Sequence, residues 1–178
     1  MLHPLLVRAV CEALFSIFCE NRHADKVIEY TLRQNPKAGS RDRAFIAETT
    51  YEVVRYYRLY AEVLGRSPQT IPDFWEIIAI HLVEQSMQQP SNKEPALPDW
   101  REFKDLKVHE IRQKLKSSAQ IRALKESIPD WMDQLGAEEL DKRWDDISPN
   151  WTFQTREVAY RREGGSSLGG QFRAWVRF

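Results

Sequence analysis

The chain has 178 residues, 42% hydrophobic and 29% charged. That composition fits one ordinary globular domain with appendages and excludes a disordered chain, which would hold fewer aromatics and a larger net charge. Lys and Arg number 26, as do Asp and Glu, so the net charge is zero and any nucleic-acid contact has to come from a local patch.

No stretch approaches the ~20 apolar residues of a membrane span. The opening Met1-Leu2-His3-Pro4 lacks the basic n-region and apolar run of a secretory signal. Cys11 and Cys19 fall in one helical stretch, about 12 Å apart along its axis, too far for a disulfide. With no CxxC or Cys/His cluster, the expected compartment is reducing, the cytoplasm.

Leu2, Leu5, Leu6, Ala9, Val10, Ala13, Leu14, Ile17 and Phe18 recur at three- and four-residue steps. They predict an amphipathic helix from about Pro4 to Glu20, with Pro4 suited to its first turn. Ala24, Val27, Ile28 and Thr31 share a face of a second helix, about Ala24 to Gln34, which Asn35-Pro36 stops. Ser40 reads as the N-cap of a third helix reaching about Leu64. Phe45, Ile46, Thr49, Val53, Tyr56, Tyr57, Tyr60 and Leu64 form its stripe, and Gly65 its stop. As the longest and most aromatic helix it is the expected centre of the fold.

A fourth helix spans about Pro72 to Gln88, with Phe74, Trp75, Ile77, Ile78, His81 and Leu82. Pro90, Pro95 and Pro98 among polar spacers mark an exposed loop. Val108, Ile111 and Leu115 mark a short helix, and Ser118 caps a turn through Leu124. Ser127 caps the next helix, with Pro129 in its first turn and Gly136 at its close; a last helix runs from Ala137 to about Asp145. Trp75 and Trp131 fall at apolar positions expected in the core, and Trp100 is placed to pin the preceding loop. Short connections without strand alternation predict an all-α bundle of about seven helices over 1–147. An irregular, glycine-rich tail follows over 148–178.

Catalytic readings find little support. Cys11 and Cys19 lie in apolar surroundings unsuited to a thiolate. Gly164 to Gly170 lacks the strand, helix and downstream acid of a dinucleotide loop. His3, His23, His81 and His109 lack ligand spacing, and Ser127 with Asp130 reads as helix capping rather than a hydrolase. The stronger candidates are basic. Lys37, Arg41 and Arg43 surround the start of the third helix, and Arg55 and Arg58 lie further along it. At about 100° per residue, Arg41 and Arg55 share one flank within about 40°, with Arg43 and Arg58 on the other side. Arginines beside a helix N-terminus suit phosphate and RNA. Against this, Glu48 and Glu52 share that flank and Asp42 sits in the cap region. A second basic region, Arg101 to Lys125, carries eight cations, against Glu102, Asp105, Glu110 and the adjoining Glu126, a pattern that also fits solvated helix faces.

Two stretches carry a family resemblance. Ala24-Asp25-Lys26-Val27-Ile28 through Gly39-Ser40-Arg41-Asp42-Arg43-Ala44-Phe45 and on past Tyr51 to Arg55 resembles the core of the NusB-like domain preceding the RsmB (Sun, Fmu) methyltransferase domain. Ser127-Ile128-Pro129-Asp130-Trp131-Met132 resembles the "S-x-P-x-W-L" element that links that domain to the catalytic part. The resemblance covers roughly 5–147. It implies a NusB-like bundle that binds ribosomal RNA for transfer of a methyl group from S-adenosylmethionine to cytosine C5. The cofactor and the chemistry belong to a separate Rossmann-like domain, so no cofactor and no activity are expected of this chain alone. From Ser148 onward the sequence departs from the family, as a truncated gene with a shifted reading frame would. The alternative is a protein-interaction module, with a protein partner or self-association through exposed apolar surface.

Overall fold

The computed structural model describes residues 2–88, 97–140 and 143–144. In chain order these hold α1 (Pro4–Phe18), α2 (Ala24–Gln34), α3 (Ser40–Arg55), α4 (Tyr57–Leu64), α5 (Ile71–Gln88), a 3-10 turn (Arg101–Phe103), α6 (Val108–Ser118), α7 (Arg122–Lys125) and α8 (Asp130–Leu140). No strand occurs among the described residues, so the protein is all-α. The tail from Ser148 and most of the proline-marked loop lie outside them. The chain divides after Ser127 into two compact units.

In the first unit, α1 opens with His3 Nδ1 accepting the Leu5 amide and Pro4 in the first turn. Past its C-terminus the Arg22 N–H donates to the Ser16 carbonyl at 3.1 Å, and Asn21 adopts φ 55°, which Asn tolerates better than most residues. At the end of α2, Asn35 Nδ2 donates to the Thr31 carbonyl at 2.8 Å, satisfying an acceptor the helix end orphans. Pro36 bars continuation.

The expected third helix is two helices. Gly39 rather than Ser40 is the N-cap, and the Asp42 carboxylate accepts the Gly39 N–H at 3.4 Å. The chain breaks at Tyr56, with φ −101° and ψ 19°, because one aromatic stripe serves two sets of neighbours. α3 packs on α1 and α2, while α4 packs on α5, α6 and α7. Tyr57 stacks on Phe18 with ring centroids 3.8 Å apart, and Tyr60 turns towards α5. Gly65 ends α4 as expected, at φ 80°.

The centre of this unit is α5, not the third segment. Phe74, Trp75, Ile77, Ile78, Ala79, Ile80, His81 and Val83 are all buried, and α1, α3, α4, α6 and the 3-10 turn pack against it. A helix apolar around most of its circumference has to be enclosed; each large aliphatic side chain so buried contributes about 1.5–3 kcal/mol. Trp100 and Phe103 meet Trp75 at centroid distances of 6.3 and 5.5 Å, so Trp100 does pin its segment to α5. Two capping expectations change. The Ile121 N–H bonds to the Ser118 carbonyl, so Ser118 ends α6 and α7 starts later. Ser127 sits at φ 54° with its N–H on the Leu124 carbonyl, and closes α7 instead of capping α8.

In the second unit, α8 runs through Gly136 rather than stopping there. The Trp144 indole lies where a Cβ at position 136 would be, and its N–H donates to Asp133 at 2.9 Å. Gly136 therefore serves close approach, not helix termination, and the helix expected to begin at Ala137 is a continuation of α8. Trp131, expected in the core, is 62% exposed, because it lies about 140° around the helix from Gly136.

One polar cluster penetrates the core. The Tyr60 hydroxyl donates to Glu84 Oε2 at 2.6 Å and lies 2.9 Å from His81 Nδ1. A phenol has one proton, so His81 supplies the Nδ1–H and keeps Nε2 as an unprotonated acceptor; Nε2 is buried without a partner among the described residues. Burial lowers the His81 pKa to about 4. Burial also pushes the Glu84 carboxyl up, against the opposing bond from Tyr60, and with the Glu84 charge it drives the Tyr60 phenol well above its usual range.

At the start of α5, Asp73 Oδ2 accepts the Gln69 and Thr70 amides and the Thr70 hydroxyl, while Arg66 bonds Oδ1 at 2.7 Å. Burial opposes the charge, but these donors together hold the Asp73 carboxyl well below the usual carboxylate range.

Two outcomes follow from these pKa shifts. The lowered His81 value means that its contribution to stability is complete above pH 6.5 and is lost as the pH falls towards 4. The raised Glu84 value has the opposite sign: its contribution is present below 4.5 and is lost as the pH rises through the folded pKa. Glu84→Gln removes that offset and leaves the His81 loss alone, up to about 3 kcal/mol between pH 6.5 and 4, so its urea-melt stability should fall more steeply than the parent's over that range; slopes equal to the parent's would contradict the raised Glu84 carboxyl. Asp73→Asn should cost about 1–2 kcal/mol at neutral pH. That cost should fade as the pH drops below 3.8, where the depressed carboxyl of the parent begins to lose its advantage; a penalty independent of pH would contradict the capping role.

Candidate nucleic-acid interface

The five cations marked by the sequence divide into two groups. Lys37, Arg41 and Arg43 surround the corner where α2 hands over to α3. Arg55 ends α3 and Arg58 lies in the first turn of α4; Arg55 is about 21 Å from Arg41 along the helix axis. The break at Tyr56 removes Arg58 from the α3 register, so the expected two-flank grouping does not produce one continuous patch.

At the corner all three side chains are exposed. Among the described residues Lys37 and Arg41 have no acidic partner. Arg43 Nη1 donates to the Leu32 carbonyl at 3.0 Å, one of the acceptors that the end of α2 leaves open. That bond fixes the guanidinium at the corner and leaves most of its five donors available. Asp42, the nearest acid in sequence, is turned to the Gly39 amide rather than to either arginine, although its charge still lowers the local positive potential. The first-turn amides of α3 have no intrahelical acceptor and favour an anion.

The other candidates are more committed. The Arg55 guanidinium lies 5.4 Å from the centroid of the Tyr56 ring, and Arg58 is half-buried with a contact of its own. Much of the second basic region is occupied locally. Lys107 pairs with Glu110 at 2.9 Å, Lys125 with Glu126 at 3.6 Å, and Lys114 donates to the Val63 carbonyl at 3.2 Å. Arg112 buries its Nε. Arg101, Lys104 and Lys116 stay exposed.

A groove of about 520 Å³ between α1 and α2 was not anticipated from the sequence. Buried Ala13, Val27 and Thr31 line it, Lys26, Tyr30 and Gln34 form a wall on α2, and Asn35 borders it two residues before Lys37. Tyr30 is 60% exposed. The available signal was an aromatic residue placed off the Ala24, Val27, Ile28 and Thr31 stripe of α2.

The remaining reactive groups are dispersed. His3 caps α1, His23 precedes α2, His81 is in the core and His109 is exposed on α6. Burial pushes the Cys11 thiol far above its usual range and raises that of Cys19 as well, so neither is a thiolate at neutral pH. Among the described residues no helix is long and apolar enough to cross a membrane. Comparison of the chain with family models, with curated proteins and with solved structures returned no match.

Proposed function

We propose that this chain is an RNA-binding helical domain whose contact begins at the corner between α2 and α3. The supporting observation is the exposure of Lys37, Arg41 and Arg43 around a helix N-terminus, with the one first-turn acid engaged by a backbone amide. Guanidinium forks and helix-terminal amides both suit phosphate oxygens. Because the net charge is zero, attraction has to arise at such a corner rather than from the whole surface. The resemblance in Gly39–Phe45 and Ser127–Met132 supplies the finer reading. The RNA is ribosomal, the setting is the cytoplasm, and the domain places its RNA for a cytosine-C5 methyltransferase whose S-adenosylmethionine site lies in a separate catalytic domain. In that reading the bundle is NusB-like.

A second reading, a protein-interaction module, has its own observation. Trp131 and Leu135 are spaced i, i+4 on α8 and are 62% and 44% exposed, an apolar pair of the kind found at interfaces.

Lys37→Ala combined with Arg41→Ala removes two cations that hold no other group among the described residues. RNA affinity at low salt should fall about tenfold, and the log–log salt slope should flatten by about 1.4, with the thermal melt unchanged. Filter-binding curves that coincide with the parent's at every salt concentration would remove this corner from the interface. A stable dimer without RNA affinity would favour the second reading.

A further inference from the structure

We infer that the groove between α1 and α2 receives an unpaired base of a single-stranded RNA segment, stacked on Tyr30. The inference rests on the RNA-binding reading above and names the form of RNA that the site takes.

Tyr30 presents its ring outward, 60% exposed, and makes no ring stack or hydrogen bond with any described residue. An exposed ring beside cations is a stacking platform that accepts any base, since every base has a π face. Lys26 and Gln34 flank it one turn to either side on α2, each about 6 Å away along the axis. The ammonium of Lys26 is only loosely held by Glu29, at 3.8 Å, and is placed for a phosphate. The Gln34 carboxamide offers both donors and an acceptor to a base edge. The groove's own acid, Glu12, is already paired with Arg8 at 2.8 Å.

The groove also connects to the basic corner. Asn35 lines it, and Lys37 lies two residues on. Arg43 is bonded to Leu32, next to Thr31 in the groove. A strand whose base sits on Tyr30 therefore leaves along Lys37, Arg41 and Arg43, where its phosphates meet cations. A duplex does not fit this arrangement, because its bases are stacked on one another and offer no free face.

The test uses the full chain and anisotropy titrations at low salt with a short mixed-sequence RNA, single-stranded or annealed to its complement. The parent should bind the single strand more tightly than the duplex. Tyr30→Ala should weaken single-strand binding about tenfold and leave duplex binding unchanged, while Tyr30→Phe, which keeps the ring, should stay within about twofold of the parent. Tyr30 is exposed, so thermal melts of all three proteins should agree. If Tyr30→Ala binds the single strand like the parent while Lys37→Ala with Arg41→Ala weakens it, the stacking inference is wrong and the RNA-binding reading stands. Equal parent affinity for strand and duplex also overturns the inference. If the parent binds neither RNA, both fall, and the groove is open to a peptide or protein occupant.

Discussion

A helix with scarcely any polar face has to be surrounded, and α5 imposes that requirement on the first unit. Its buried run from Phe74 to Val83 gathers α1, α3, α4, α6 and the 3-10 turn around it. The break at Tyr56 follows from this demand, since α4 reaches α5 and α6 only by leaving the line of α3. The polar trio Tyr60, His81 and Glu84 is tolerated inside because its members bond to one another; unpaired, such groups would cost several kcal/mol. α2 packs on α1 and α3, at the periphery of this arrangement. Its outer face is accordingly available for Lys26, Tyr30 and Gln34, and its end meets the basic corner.

The residues that carry the family resemblance have structural duties. Gly39 is the N-cap of α3, Asp42 accepts its amide, and Arg43 ties the corner to Leu32. Phe45 packs against the core and Ile46 lies within it. Ser127 closes α7 in a left-handed conformation. Most of the Gly39–Ile46 stretch thus reads as a folding signature for one helix–helix corner. Among the described residues Lys37 and Arg41 have no such duty, and the proposed affinity for phosphate depends on them most directly.

Features governed by local chemistry were legible in the sequence: the all-α class, the amphipathic faces of α1 and α2, and the stops at Asn35-Pro36 and Gly65. Of the features set by tertiary packing the pinning role of Trp100 was legible, and others were not. The same glycine can end a helix or admit a ring, and only the position of Trp144 shows that Gly136 does the second. The same serine can cap one helix or close the previous one, and Ser127 does the latter. Aromatic richness pointed to the third segment as the centre, whereas enclosure is decided by apolar residues on all sides, as in α5. The cations were identifiable one by one, but their grouping depended on a helix break that no periodicity announced. Tyr30 drew no notice because the apolar stripe of α2 is complete without it.

The most direct measurement of the central claim is ultraviolet crosslinking of the full chain to ribosomal RNA, followed by mass spectrometry of the attached peptides. The account predicts that crosslinked peptides come from 22–43, the stretch that includes Lys26, Tyr30, Lys37, Arg41 and Arg43. Crosslinks confined to 101–125 or to α8, or no crosslinks at all, would contradict it.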